Sequence, residues 1–262
     1  SVPRAVAMHA TPYMPGSVDL GDFDPTSTAI AVTIAGLEDR LAGPLNQTFD
    51  RYLEEVRNRR NPDSGFQAYS PYELRNVEAL LRLGRRADAH ELLQSIMADQ
   101  RPPAWHQWAE VSWQAPRAPR FIGDMPHTWI ASIFVRTLRT MLVYERTADR
   151  ALVVGAGIVP DWVTHEQGVR VRRMPTYYGA LSYDMKAESA TTVRVRLFGD
   201  VSRPPGGIVL TSPLDTPIAS ATVNGKSVTP TSPTTVVIDD APADVLLRFD
   251  APAPRKAPGA GG

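Results

Sequence analysis

The first 150 positions carry hydrophobic residues every three to four positions, the spacing that places them on one face of an α-helix. Gly-Pro, Asn-Pro and glycine breaks divide this region into separate helices. The predicted helices span residues 26–42, 45–59, 71–83, 86–98 and 127–144. The link between the third and fourth is so short that we expect them to form an antiparallel hairpin.

Two segments of this region have a different character. Residues 1–25 are predicted to be irregular, because proline and glycine recur too closely for a long helix. Residues 99–126 are predicted to form a long loop that holds three of the five tryptophans, namely Trp105, Trp108 and Trp113. The helix 127–144 that follows is apolar nearly all round, so we expect it to be buried at the centre of the helical layer.

Beyond residue 150, hydrophobic and polar residues alternate, which is typical of strands with one buried face. Eight short strands are predicted there, and Asn224-Gly225 is a hairpin signal. Their regular spacing favours an antiparallel β-sandwich over residues 151–250, without catalytic residues, because its polar positions alternate outward. Residues 251–262, rich in proline and glycine, are predicted to be a disordered tail.

The pattern therefore predicts an α+β protein of two domains. An irregular N-terminal segment, residues 1–25, precedes a helical domain over residues 26–150 and the sandwich over residues 151–250. Five helices with one nearly all-apolar member are expected to leave an exposed apolar flank, so the helical domain should associate with another chain or segment.

Charge and composition exclude several classes of function. Lys plus Arg and Asp plus Glu are both 28, so the formal net charge is zero, and we expect neither a nucleic-acid partner nor an anionic membrane surface. No apolar run is long enough for a membrane span. Dinucleotide, phosphate-loop and zinc-protease motifs are absent and there is no cysteine, so no cofactor and no metal are expected. The compartment stays open, with a periplasmic or extracellular location favoured.

The candidate chemistry centres on Glu110, which lies between Trp108 and Trp113 in the long loop. Glycoside hydrolysis requires two carboxyl groups, and aromatic rings stack on the faces of sugars. Glu110 is thus a candidate catalytic base or acid, with Trp105, Trp108 and Trp113 as sugar platforms. The alternative is that Glu110 pairs with Arg117 or Arg120 and that the tryptophans only anchor the loop.

Asp124 and His127 stand at the start of the last predicted helix. Asp124 is a candidate substrate-binding residue, although a carboxylate here is favoured for helix capping alone. His127 could bind a sugar hydroxyl or orient a carboxylate, or it could be purely structural.

Further carboxylates could supply the second catalytic group. Asp22 and Asp24 are candidates for sugar binding and catalysis, with helix capping as the alternative; together with Asp19 they lack the glycine and distal glutamate of a calcium loop. Glu73 is another catalytic candidate, beside the substrate-binding candidate Tyr69 at the start of the third helix. Glu73 could equally serve the helix dipole. Two groups of arginines are interpreted as solvated helix ends: Arg57, Arg59 and Arg60, and then Arg82, Arg85 and Arg86.

Three segments together resemble a known family: Trp108–Trp113, Gly123–Trp129 and the Val223–Lys226 hairpin. They look like the closing section of α/α-toroid glycoside hydrolases, and the inverting α-L-rhamnosidases are the nearest comparison. Glu110 matches the catalytic glutamate of that family, and Gly123 and His127 match parts of its Gly-x-x-Asn-His turn, in which Pro126 replaces the asparagine. The match covers roughly residues 70–250.

This resemblance implies a partial α/α toroid, a carbohydrate substrate and Glu110 as general base of an inverting hydrolase. A complete toroid needs twelve helices, so the missing helical portion would come from the same protein or from another subunit. The rival hypothesis is a non-catalytic carbohydrate-binding or scaffold module that packs on another subunit. A salt bridge that buries Glu110, with no open aromatic cleft, would favour that rival.

Overall fold

The computed structural model describes residues 2–115 and 120–250, which form two compact units. The first unit ends at Asp149 and is mainly helical, and the second begins at Arg150 and is mainly β. The predicted two-part α+β fold class is confirmed. The predicted disordered tail and Arg117 lie outside the described residues.

The first unit contains six α-helices within its described residues. They are α1 (Val2–His9), α2 (Pro25–Thr33), α3 (Ala42–Asn58), α4 (Leu74–Arg82), α5 (Arg86–Met97) and α6 (Thr128–Leu142). Short 3-10 helices cover Pro62–Ser64, Pro71–Glu73 and Pro103–Trp105, and the strands are β1 (Ala68–Tyr69), β2 (Ser112–Trp113) and β3 (Val143–Arg146). Strands β1 and β2 pair antiparallel. In the described part of the chain, no helix has both the length and the apolar composition needed to cross a membrane.

The centre of the helical unit is α4, which packs against α2, α5 and α6 and buries seven of its nine residues. The prediction that the helix 127–144 occupies this place is wrong. Helix α6 buries one face against α4, where the Thr137 hydroxyl is satisfied by the Leu74 carbonyl 3.3 Å away. Its other face leaves Trp129, Val135 and Leu138 exposed, so the unit has an apolar flank.

Two helix boundaries differ from those that the periodicity of apolar residues predicts. The predicted helix 26–42 ends at Thr33, and the chain turns through Gly36, whose φ is +61°. Gly43 and Pro44 do not break a helix but lie in the first turn of α3, where a missing N–H leaves no hydrogen bond unmade. For the same reason Pro3 is accommodated at the start of α1, within a segment predicted to be irregular.

The β unit has nine strands and one short helix between residues 150 and 250. The strands are β4 (Ala151–Val154), β5 (Val169–Thr176), β6 (Gly179–Ser189), β7 (Thr192–Val201), β8 (Ile208–Thr211), β9 (Ile218–Val223), β10 (Lys226–Val228), β11 (Thr235–Ile238) and β12 (Ala243–Phe249), and the helix is α7 (Pro160–Thr164). One sheet has the order β10-β9-β12-β7-β6-β5 and is antiparallel throughout. A second sheet contains β11, β8 and β4. Its β4–β8 pair is parallel, a departure from the predicted all-antiparallel sandwich.

Alternation along the strands explains how the sandwich forms its core. In β7, Val193, Val195 and Leu197 are buried while Arg194 and Arg196 face outward. The hairpin between β9 and β10 turns through Asn224 and Gly225, whose φ values are 50° and 77°, as the Asn-Gly signal predicts. Strand β10, which completes that hairpin, was not among the eight predicted strands because it is only three residues long.

Candidate functional site

Glu110 lies in a loop segment just before β2, beside residues 122–124. Its backbone N–H donates to the carbonyl of Asp124 (3.2 Å), and the N–H of Val111 donates to that of Ile122 (3.0 Å). Gly123 has a φ of +65°, and a Cβ there would stand 2.2 Å from Oε2 of Glu110. The carboxylate therefore lies directly against the Gly123 backbone, a position that any larger residue would obstruct.

His127 is held at the start of α6 by two partners from other segments. Its backbone N–H donates to the carbonyl of Trp108 (3.1 Å), and its Nε2 lies 2.5 Å from Oη of Tyr72. Its Nδ1 faces the Asp124 carboxylate at 3.9 Å. His127 itself occupies the N-cap position and no side chain caps α6, so the capping interpretation of Asp124 is wrong. The exposed Asp124 carboxylate is instead available to solvent.

The carboxylates of Glu110 and Asp124 both act on the Tyr72 phenol. Burial raises the pKa of the Tyr72 phenol, the negative charges of Glu110 and Asp124 raise it further, and the Arg75 guanidinium opposes them. The Tyr72 ring meets the Trp129 ring edge-to-face at 5.3 Å. The Arg75 guanidinium lies over the Trp129 ring at 5.7 Å, and this indole, beside Tyr72, is 56% exposed. We call Tyr72, Glu110, Asp124, His127 and Trp129 the Glu110 group.

Trp108 is not part of any open surface. It is 1% exposed, its indole N–H donates to the carbonyl of Ile96 (2.8 Å), and its ring packs 5.2 Å from that of Phe134. A fully buried indole cannot stack on a sugar, so the prediction of Trp108 as a sugar platform is wrong. Trp129, whose motif was noted but which was not proposed as a platform, has the exposure that this role requires. Trp105 is exposed in the 3-10 helix Pro103–Trp105.

Glu73 is committed to an internal ion pair. Its two oxygens accept hydrogen bonds from the Arg59 guanidinium at 2.7 and 2.8 Å, and the Tyr52 hydroxyl donates to it at 2.5 Å. These three hydrogen bonds and a side chain that is only 13% exposed favour a structural role for Glu73, and its catalytic role stays a prediction. The interpretation of Arg59 as a solvated helix end is wrong for the same reason. Arg82 is likewise buried, paired with Glu78.

Asp22 and Asp24 organise the N-terminal loop. Asp24 is the N-cap of α2, accepting the backbone N–H of Ser27 at 3.0 Å and its hydroxyl at 2.5 Å. Asp22 accepts the backbone N–H of Ser17 at 2.8 Å. Capping, the alternative considered for Asp24, is what the structure shows, and nothing places either carboxylate in the Glu110 group. Over residues 2–115 and 120–250, no cluster of three or more His, Asp or Glu side chains could hold a metal ion.

Tyr69 and Trp113 line a cavity of about 470 Å³ that Glu110 does not line. The Tyr69 hydroxyl donates to Asp99 (2.8 Å), and the Trp113 indole N–H donates to the carbonyl of Phe121 (2.7 Å). The residues of the predicted tryptophan-walled cleft are thus divided between the Glu110 group and this cavity. From the sequence, Arg59 and Arg60 were interpreted as helix ends and Arg101 was not singled out, because side chains far apart in sequence form this cavity.

Of the two arginines considered as partners of Glu110, Arg117 lies outside the described residues and Arg120 is engaged elsewhere. Arg120 donates to Oε1 of Gln67 (3.3 Å) and its guanidinium lies 4.8 Å from the centre of the Trp113 ring. Among residues 2–115 and 120–250, no basic side chain forms an ion pair with Glu110.

Comparisons with known proteins find remote and partial similarity. No protein-family model and no curated protein matches the sequence. A solved structure titled a glycoside hydrolase has 13% identity to this chain and a TM-score of 0.31. The aligned part covers 69% of this chain and 32% of the other. A GH127 β-L-arabinofuranosidase from Geobacillus stearothermophilus T6 has 13% identity and a TM-score of 0.29, with 70% and 31% covered. The chain spans about a third of the length of either protein.

Proposed function

We propose that this chain is the part of a glycoside hydrolase that binds a carbohydrate and supplies Glu110 as a catalytic carboxylate. The observation that supports this is the setting of Glu110, which rests against Gly123 without an ion-pair partner among the described residues. Asp124, His127, Tyr72 and an exposed indole surround the same place.

Each member of the Glu110 group has a role in this proposal. Glu110 acts as general base on a water molecule, with inversion at the sugar, as the resemblance to inverting α-L-rhamnosidases implies. Asp124, exposed beside it, is the second carboxyl group that this chain offers. The Tyr72–His127 pair orients a sugar hydroxyl through hydrogen bonds, and Trp129 stacks on the apolar face of the ring. Helices from a missing portion or from another subunit complete the toroid.

The proposal is tested by hydrolysis of a panel of nitrophenyl glycosides by the longest natural assembly that contains this chain. In that assembly, Glu110→Gln should lower kcat by about 10²–10⁴-fold, the range for a positioned acid–base group. The substitution keeps the shape of the side chain, so the thermal unfolding midpoint should stay unchanged. Glu54→Gln, the same chemical change at an exposed position of α3, is the matched control.

Two outcomes would contradict the proposal. Undiminished hydrolysis by Glu110→Gln would remove Glu110 from the catalytic machinery. Saturable sugar binding without hydrolysis by the unmodified assembly would favour the rival function, a non-catalytic carbohydrate-binding module.

A further inference from the structure

The arginine-lined cavity of the helical unit has the properties of a separate ligand site. It holds about 470 Å³, which is within the range of about 300–1,000 Å³ typical of small-molecule pockets. Its walls come from the end of α3, the β1–β2 pair and the end of α5. Glu110 and His127 are not among its lining residues, so it is distinct from the Glu110 group.

Two of the three arginines in its wall already have carboxylate partners. Arg59 forms the bidentate pair with Glu73, and its guanidinium lies 4.9 Å from the centre of the Phe66 ring and 5.1 Å from that of Tyr69. Arg101 lies 3.2 Å from the Asp99 carboxylate, which also accepts the Tyr69 hydroxyl. These contacts hold the wall in one arrangement, which lowers the ordering cost of binding.

Arg60 is the third arginine, and the nearby Glu91 carboxylate, on which its charge acts, forms its ion pair with Arg57 instead. Arg60 donates one hydrogen bond of 3.3 Å to the hydroxyl of Ser95, and no carboxylate in the described part of the chain forms an ion pair with it. Three guanidinium groups, those of Arg59, Arg60 and Arg101, thus stand against two carboxylates, those of Glu73 and Asp99. Among the described residues, Arg60 is thus the arginine of this wall without an ion-pair partner, and its guanidinium is suited to a carboxylate.

The rest of the wall is suited to a ring that has an apolar face and hydroxyl groups. Phe66, Tyr69 and Trp113 supply aromatic surface, and Ser95 and Gln114 supply polar side-chain groups. Aromatic rings next to hydrogen-bonding side chains are the combination that recognises sugars, since a pyranose presents C–H groups on its face and hydroxyls at its edge.

We propose that this cavity binds a sugar acid, with its carboxylate on Arg60 and its ring against Tyr69 and Trp113. The site does not depend on hydrolysis at Glu110.

The test is isothermal titration of the full chain with D-galacturonate and, in parallel, with D-galactose, which differs by the absence of the carboxylate. Galacturonate should bind at least about tenfold more tightly than galactose, a difference of about 1.4 kcal/mol. Arg60→Ala should weaken galacturonate binding at least about tenfold and leave galactose binding unchanged. Arg40→Ala, which removes the same charge from an exposed position, should change neither affinity more than about twofold.

Trp113→Leu distinguishes the contribution of stacking on the Trp113 ring from that of the Arg60 charge. It should weaken the binding of both sugars, because stacking of a sugar on the indole does not depend on the carboxylate. Equal affinities for the two sugars, galacturonate binding that survives Arg60→Ala, or no saturable binding of either sugar would overturn the proposal. Glu110→Gln should leave galacturonate binding unchanged, so that failure at this cavity is distinguished from failure of the proposed hydrolase.

Discussion

Glu73 and Glu110 are two glutamates of the helical unit with similar sequence surroundings and opposite environments. Both stand near aromatic residues, and both were predicted to be catalytic. Glu73 accepts two hydrogen bonds from Arg59 and one from Tyr52 in a mostly buried position. Glu110 has no ion pair among the described residues and lies against a glycine beside an imidazole and a phenol.

The difference teaches that aromatic neighbours do not by themselves mark a catalytic carboxylate. What decides is whether a guanidinium can reach the carboxylate. Arg59, at the end of α3, reaches Glu73, while Arg120 is engaged by Gln67 and Trp113. Removing one partner of a buried pair destabilises the fold, whereas Glu110, without an ion pair among the described residues, remains available for the proposed chemistry.

The largest effect that tests this comparison is expected for Glu73→Gln. The substitution leaves the Arg59 charge without its counter-ion in a position where its side chain is 19% exposed. The free energy of unfolding should fall by about 3 kcal/mol, the lower end for breaking a buried pair on one side. Urea unfolding followed by circular dichroism measures this.

Glu55→Gln is the control for that measurement, because the ion pair of Glu55 with Arg51 is exposed on α3, the helix that Arg59 follows. Its cost should stay below about 0.5 kcal/mol. Equal losses for the two variants would show that Glu73 is no more structural than a surface glutamate, and the comparison would fail.

A second, smaller effect appears at alkaline pH. Burial and the Glu73 charge raise the pKa of Tyr52 well above its ordinary value, whereas Tyr72 in the Glu110 group has a pKa raised by burial and by Glu110. Above about pH 10 the unfolded chain releases these protons and the folded chain retains them, so the free energy of unfolding falls as pH rises. Each retained proton contributes about 1.4 kcal/mol per pH unit.

Unfolding at a series of pH values from 8 to about 11 separates the two regions. Tyr52→Phe should flatten the alkaline decline more than Tyr72→Phe does, because Tyr52 is the more deeply buried phenol. Identical pH dependence in the two variants would mean that the Glu73 and Glu110 surroundings are electrostatically alike.

The smallest expected effect is at Asp24, the third carboxylate predicted to be catalytic. Asp24→Ala should cost about 1 kcal/mol through loss of the α2 cap, and it should not change any hydrolytic rate. Asp24→Asn should retain most of the stability, since asparagine caps as well as aspartate. A large loss of turnover in Asp24→Asn with stability intact would return Asp24 to the active site.

The periodicity of apolar residues was a sound guide to the existence of five helices, because each needs a continuous apolar stripe to pack. It was a poor guide to their ends and to their order in the core. Gly43 and Pro44, interpreted as a stop, belong to the first turn of α3. Helix α6, expected at the centre, leaves one face exposed, and α4 takes the central place because it has packing partners on more sides.

For the candidate site, local sequence was enough to single out Glu110 and His127, whose segments the fold does bring together through the carbonyl of Trp108. The α+β organisation and the Asn224-Gly225 hairpin also follow from local pattern, since both depend on neighbours in sequence. Pairing across the chain could not be foreseen in this way. Contacts between residues more than ten positions apart decide which carboxylate pairs with Arg59, which indole is buried and which arginines line a cavity. Only the tertiary packing determines these contacts.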